Sequence, residues 1–211
     1  VFEKYADPKI LSGFLVSAVF LWIFGGITEE VLEKDTVVDY LLMDLMGQIR
    51  TPLLTSVMIF ITNMGDPVLI WTGTIVFICF LLYFKKREQS IFVAWTIVGG
   101  AVLNQVLKFS IHRSRPSGTS LVEAWGWSYP SGHAMMAATF YGMLAYLAVK
   151  GTGSWRAKVF AVTLACFMVF VIGFSRIYLQ VHYLSDVLGG LTEGIAWLAL
   201  CLTALGTWQR R

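Results

Sequence analysis

The residues of this chain that could do chemistry fall into three short polar clusters set in very apolar sequence. In the first, Lys108 is followed after six residues by Arg115-Pro116. The second is Pro130-Ser131-Gly132-His133. In the third, Ser175-Arg176 is followed after five residues by His182 and after three more by Asp186. Together they supply three cations, two imidazoles and one carboxylate. Charge is expensive inside a membrane, so such groups at membrane-compatible positions need a reason. A phosphate group in transit through a covalent intermediate is one that uses all of them.

Each cluster has a chemical reading and a plainer one. His182 and Asp186 are four apart, so on a helix they share a face and can meet. A carboxylate accepting from one imidazole nitrogen fixes the tautomer and frees the other nitrogen, which is the arrangement of an oriented nucleophile or base. Arg176 adds a planar fork suited to phosphate oxygens. A helix-end salt bridge with a satisfied histidine fits the same residues. In the second cluster Pro130 and Ser131 suit a helix start, and Gly132 permits close backbone approach. The N–H groups of that first turn bind anions, and His133 beside them can pass a proton to a leaving oxygen. Taken alone, the cluster also fits an ordinary cap with an interfacial histidine. Lys108 and Arg115 offer a point charge and a fork to one phosphate, or are simply snorkelling cations. His112 and Arg113, between them, read as flanking residues at the interface.

The elements that must position these groups are membrane spans. The chain has 211 residues, 57% hydrophobic and 14% charged, against roughly one quarter charged in a soluble domain. Its mean hydropathy is +0.70. The pattern predicts an all-α membrane protein in one domain, residues 1–211, with six spans: Ile10–Ile27, Pro67–Phe84, Ile91–Phe109, Ser131–Val149, Trp155–Phe174 and Asp186–Thr207. The first run lacks a small-x-small cleavage site and reads as a retained span. Between spans one and two, residues 28–66 begin acidic (Glu29, Glu30, Glu33, Asp35, Asp39, Asp44). Val38, Leu41, Leu42, Leu45 and Ile49 then recur at helical spacing, as in an amphipathic helix lying on the outer membrane surface. Arg50-Thr51-Pro52 breaks it. Leu53–Ile61 is too short to span alone, and 63–67 is a turn.

Charge sorts the connections. Lys4, Lys9, Lys85-Lys86-Arg87, Lys150, Arg156, Lys158 and Arg210-Arg211 all fall on one side of a six-span plan, which the positive-inside rule makes the cytoplasm. The expectation is therefore a multi-pass protein of the inner or plasma membrane, with both termini cytoplasmic. All three clusters, and residues 28–66, then face the periplasm or exterior. The net charge of +3 contains no basic run interleaved with polar loops, so nucleic acid is not an expected partner. Cys79, Cys166 and Cys201 lie inside apolar runs and read as fillers rather than a disulfide framework or zinc site.

Lys-x6-Arg-Pro, Pro-Ser-Gly-His and Ser-Arg-x5-His-x3-Asp, in this order and at the matching helix ends, resemble the type-2 phosphatidic acid phosphatase superfamily in its integral-membrane branch. The resemblance in motif layout covers about residues 66–186. It implies that His182 attacks phosphorus to form a phosphohistidine, that Asp186 orients it, and that His133 protonates the leaving group and later activates water. It implies too that Lys108, Arg115 and Arg176 hold the phosphate, assisted by the Ser131 hydroxyl and the Gly132 N–H. Phosphoryl transfer spreads charge over equatorial oxygens, which fixed cations and donors stabilise. No acidic cluster resembles a magnesium site, so no metal and no cofactor is expected. The expected substrates are lipid phosphates or diphosphates of the undecaprenyl diphosphate, phosphatidylglycerophosphate and phosphatidate type. The bilayer is the expected surrounding, with no obligate protein partner.

Three other readings use the same residues: a phosphotransferase passing the group to another lipid or sugar, a vanadate-dependent haloperoxidase, and an anion channel or transporter. Known haloperoxidases of this kind are soluble, and a transport path needs polar mid-membrane positions. Elsewhere, Trp125, Trp127 and Tyr129 read as an interfacial aromatic belt, with a headgroup gate as the sharper alternative. Asn104 and Gln105 suit interhelical hydrogen bonds, and Gly189, Gly190 and Gly194 suit close helix packing. Glu193 is an intramembrane acid without an assigned role. Residues 29–64 hold no catalytic candidate and are expected to lie over the site mouth.

Overall fold

The computed structural model describes residues 8–33, 37–117 and 120–209. The expectations placed on Lys4, Asp35, Arg210 and Arg211 lie outside these residues. Among the described residues all regular structure is helical: α1 (Pro8–Glu33), α2 (Val37–Gln48), α3 (Pro52–Asn63), α4 (Pro67–Tyr83), α5 (Arg87–Ile111), α6 (Gly132–Gly151), α7 (Trp155–Tyr178) and α8 (Leu184–Trp208). Local chemistry sets several boundaries. Pro52 and Pro67 open α3 and α4, where a missing N–H costs nothing. The caps Thr51 and Asp66 accept from the Leu54 and Val68 N–H groups. Ser154 does the same for Ala157 at the start of α7. His112 ends α5 in the left-handed region, at φ 53°.

Five helices, α1, α5, α6, α7 and α8, are long and apolar enough to cross a membrane. A sixth crossing requires α3 and α4 together, a pair bent by 41° at the Met64–Asp66 break. The 17 residues of α4 reach only about 25 Å at ~1.5 Å per residue, short of the ~30 Å hydrocarbon core. The first span also runs past its expected end at Ile27, so Glu29, Glu30 and Glu33 form the end of α1 rather than belonging to a separate surface segment.

The central helix is α8, packed along α1, α6 and α5, with α7 beside α6 and with α2 and α3 against α7. One core cluster joins α4, α5, α6 and α8 through Ile70, Phe92, Ile97, Met143 and Leu205. A second joins α2, α3, α6, α7 and α8 through Met46, Met58, Ala134, Tyr178 and Val187. Cys79 and Cys166 are exposed on the lipid-facing side and Cys201 is buried; all three are free, as fillers should be.

Small residues set how closely α6 and α8 approach. A Cβ on Gly190 would strike the Ser131 carbonyl oxygen, and one on Gly194 would lie 2.6 Å from the Met135 carbonyl oxygen. Backbone contact of this kind needs glycine, and here it brings the first turns of two motif-bearing helices together. Gly190→Ala and Gly194→Ala are therefore expected to destabilise the bundle by about 1–3 kcal/mol each, through overpacking against backbone. Gly25, with nothing within 4 Å of its added Cβ, supplies a neutral Gly→Ala control. Thermal unfolding in detergent checks this; an unshifted midpoint for Gly190→Ala would mean the helices separate freely.

Candidate active site

The three clusters converge at one end of the bundle, on a cavity of about 520 Å³ lined by Lys108, Arg115, Gly132, His133, Arg176 and His182. Lys108 comes from the last turn of α5 and Arg176 from the last turn of α7. His133 comes from the first turn of α6, Arg115 from the α5–α6 loop, and His182 from the bend between α7 and α8. Ile70, Trp71, Ala101 and Met136 continue the lining as an apolar wall between α4, α5 and α6. Charged head and apolar wall thus share one cavity. Asp186 and Ser131 lie behind the lining, both fully buried.

His182 and Asp186 meet, but not as a helical i,i+4 pair. His182 precedes α8, in a turn where Gln180 has φ 56°. Asp186, in the first turn of α8, reaches back to accept the Tyr183 N–H (2.9 Å) and faces His182 Nδ1 at 3.4 Å with the same oxygen, Oδ2. The Ser128 hydroxyl donates to that oxygen as well and lies 3.3 Å from Nδ1. On the other side of the ring, Arg115 Nη1 is 3.1 Å from Nε2. A guanidinium only donates, so Nε2 must be the lone-pair nitrogen and Nδ1 the protonated one. Burial pushes His182 down to about 3, with the Asp186 hydrogen bond opposing, so the imidazole is neutral at neutral pH. Its Nε2 lone pair looks into the cationic cavity.

The three cavity cations are held without carboxylates. Lys108 Nζ donates to the Trp127 carbonyl (2.7 Å), and Arg115 donates to the carbonyls of Gly126 (3.0 Å), Val181 (2.9 Å) and Trp125 (2.9 Å). Arg176 Nη1 donates to Thr62 Oγ1 at 2.7 Å, and its Nε is buried with no partner. Among the described residues, every ion pair involves Arg113 or His182; none involves Lys108, Arg115 or Arg176. Burial lowers Arg115, partly offset by Asp186, yet an arginine stays charged at any ordinary pH. Neutral acceptors therefore position a buried positive charge that an anion has to balance.

Several residues depart from their expected places. Arg113 is no interfacial flank: Nη1 pairs with Asp186 Oδ1 at 2.6 Å and Nη2 with Asp39 Oδ2 at 2.8 Å, while Tyr183 covers the guanidinium at 4.4 Å. Burial opposes its charge, but the two carboxylates outweigh burial and hold it above the usual arginine value. Tyr129 does not join an aromatic belt; it is fully buried and bonded to Thr28 at 2.8 Å, and burial raises its phenol. Trp125 is exposed and Trp127 packs edge-on to His112, but both act on the site through their carbonyls. The Ser131 hydroxyl, expected to cap or to touch phosphate, is buried with no partner, while its N–H donates to the Asp186 carbonyl at 2.9 Å. Asn104 bonds across helices to Glu193 Oε2 at 3.1 Å, as expected, which turns that acid into the bundle.

Among the described residues, none of 37–63 lines the cavity. Their two helices flank it, with Asp39 of α2 and Thr62 of α3 each gripping an arginine from behind. The apolar stripe of α2, including Val38, Leu41 and Leu45, faces outward, as a surface-lying helix requires, because its inward face carries Asp39. Ser128, Asp39 and Thr62 escaped the sequence reading because single polar residues in loops and surface helices carry no spacing signal.

Comparison with known proteins identifies the family. The family model for the PAP2 superfamily matches residues 89–210. Phosphatidylglycerophosphatase B of Bacillus subtilis is 33% identical over 148 residues, covering 70% of this chain and 73% of that protein. An undecaprenyl-diphosphatase of Sulfolobus acidocaldarius is 27% identical over 204 residues, covering 93% and 89%. The crystal structure of a transmembrane PAP2-type phosphatidylglycerolphosphate phosphatase from Bacillus subtilis superposes with a TM-score of 0.80 at 29% identity, over 97% of this chain and 98% of that one. This chain belongs to the PAP2 superfamily.

Proposed function

We propose that the protein is a membrane lipid phosphatase that hydrolyses the terminal phosphate of a lipid phosphate or diphosphate through a phosphohistidine on His182. One observation carries the reading: Lys108 and Arg176, both buried, and the half-buried Arg115 have no carboxylate partner and line one cavity with His182, whose neutral imidazole turns Nε2 toward Arg115. The apolar wall of Ile70, Trp71 and Met136 beside them suits a substrate with a hydrocarbon tail. The names of the relatives, a phosphatidylglycerophosphatase and an undecaprenyl-diphosphatase, point to the same class.

In the first step the Nε2 lone pair of His182 attacks phosphorus. The P–O bond to the lipid breaks, and His133 gives its proton to the departing oxygen. Asp186 accepts from Nδ1–H and stabilises the positive charge that the phosphorylated ring carries. Lys108, Arg115 and Arg176 bear on the equatorial oxygens throughout, and the Gly132 N–H adds a neutral donor at the α6 N-terminus. In the second step His133 takes a proton from water, the water oxygen attacks phosphorus, and the P–N bond breaks to return the lone pair to His182. Every charge in this cycle is balanced by protein groups, and turnover is proposed to be independent of metal. Lys85, Lys86, Arg87, Lys150, Arg156 and Lys158 lie at the opposite helix ends from the cavity. This supports a plasma-membrane orientation with both termini cytoplasmic and the site facing the periplasm or exterior.

Purified protein in detergent with EDTA is expected to release phosphate from phosphatidylglycerophosphate, undecaprenyl diphosphate or phosphatidate, and His182→Ala to release none. Activity lost in EDTA and restored by magnesium would count against the metal-free cycle. Arg115→Lys, which keeps the charge but loses the fork that spans Nε2 and four carbonyls, is expected to lower kcat roughly 10²-fold or more.

A stability prediction follows from the same histidine. Its folded value is about 3, below the ~6.5 of an unfolded chain, so the unfolded state binds more protons between these limits. The stability this group contributes is complete above about pH 6.5 and is lost as pH falls toward 3. Unfolding midpoints in detergent should therefore drop from pH 7 to pH 5, and His182→Gln should make the drop shallower; an equal drop in both proteins would assign it to other groups.

A further inference from the structure

Asp39 belongs to α2, a helix that contributes nothing to the cavity lining. Its carboxylate is nonetheless 2% exposed and fully engaged. Oδ1 accepts the Ser185 N–H at 2.9 Å, capping the first turn of α8 from a different helix. Oδ2 accepts the Ser185 hydroxyl and Arg113 Nη2. Arg113 passes the contact on, since Nη1 donates to Ser185 Oγ at 2.7 Å and to Asp186 Oδ1 at 2.6 Å. Asp39, Arg113, Asp186 and His182 thus form one continuous chain of contacts, from a helix outside the cavity to the imidazole.

Two physical consequences follow. The first is geometric. With one end of the guanidinium fork fixed on Asp39, the other end holds Asp186 Oδ1, and Oδ2 is left aimed at His182 Nδ1. The second is electrostatic. One cation shared between two carboxylates leaves the group a net negative charge, which faces the ring that becomes positive when phosphorylated. Without Asp39, Arg113 would cancel Asp186 alone, and the dyad would meet that positive ring as a neutral pair.

We propose that Asp39 is a positioning residue of the His182–Asp186 dyad, acting through Arg113. The inference rests on the phosphohistidine reading given above. It assigns α2 a part in turnover: the helix holds the carboxylate of the dyad in place and supplies the charge that leaves the group net negative.

The test is phosphate release from phosphatidylglycerophosphate by the full chain in detergent, with kcat and KM measured separately. Asp39→Asn is nearly isosteric and keeps an acceptor for the Ser185 N–H, so a role confined to capping α8 would leave kcat intact. The expected result is a kcat lowered roughly tenfold or more with KM within about twofold, because a small displacement of the dyad affects the reacting geometry and not lipid binding. Asp39→Glu, which restores the charge, should recover part of the loss. Because Asp39 acts through Arg113, D39N/R113Q should be no slower than R113Q alone. A wild-type kcat in D39N, a loss confined to KM, or losses that multiply in the double variant would each overturn the proposal. If D39N does not yield folded protein, Asp39→Glu decides: lowered kcat at unchanged KM supports the proposal and wild-type kcat overturns it. His182→Ala, run in parallel, separates the two readings. An active H182A would overturn the phosphohistidine cycle itself; an inactive H182A beside an unimpaired D39N would overturn the role of Asp39 alone.

Discussion

A carboxylate with no solvent exposure needs donors on both oxygens, and the arrangement of this site follows from how Asp186 obtains them. Oδ1 takes Arg113; Oδ2 takes the Tyr183 N–H, the Ser128 hydroxyl and the His182 ring. Each donor comes with an element attached. Arg113 and Ser128 bring both ends of the α5–α6 loop to α8, and the Tyr183 N–H folds the α7–α8 turn back over the start of α8. The backbone carbonyl of Asp186 then accepts the Ser131 N–H, which joins the α6 start to the same point. Were Asp186 exposed, water could fill its oxygens, and loop, turn and helix ends would have no shared anchor.

The helix directions suit an anion. α6 begins at the cavity, so the positive end of its dipole faces it, while α8 begins just behind the lining with its first turn capped by Asp39. α5 and α7 end at the cavity, and the negative ends of those helices carry Lys108 and Arg176 in their last turns. The glycines of α8 let α6 come within backbone contact, which holds the start of α6 close against α8. Carbonyls of residues 125–127, rather than carboxylates, then orient Lys108 and Arg115. A carboxylate in their place would neutralise the cations that an incoming phosphate must meet.

The segment of α2 and α3 supports this site from two sides. α3 packs on α7 and supplies Thr62 to Arg176, and α2 packs beside the start of α8 and supplies Asp39 to Arg113. Both contacts are made to residues of the site by side chains that do not themselves line the cavity. Polar groups turned inward and an apolar stripe turned outward also reverse the pattern of a soluble amphipathic helix, as a lipid-facing position demands.

How much of this was legible in the sequence depends on the range of the physics involved. Long apolar runs must become helices in a membrane, because every backbone polar group has to be satisfied within its own segment; the all-α bundle therefore followed from composition and run length. The three clusters, each open to a plainer reading alone, pointed to phosphate chemistry through their joint resemblance to the superfamily's motifs, and the structure gathers Lys108, Arg115, His133, Arg176 and His182 about one cavity. Tertiary structure alone decided which partners those groups take. Nothing local in the chain says that Asp39 will meet Arg113 across 74 residues, that Thr62 will meet Arg176 across 114, or that Tyr129 will be buried against Thr28. Such contacts are selected by the packing of whole helices and by the cost of leaving a buried charge unpaired, and neither quantity is a property of a sequence window.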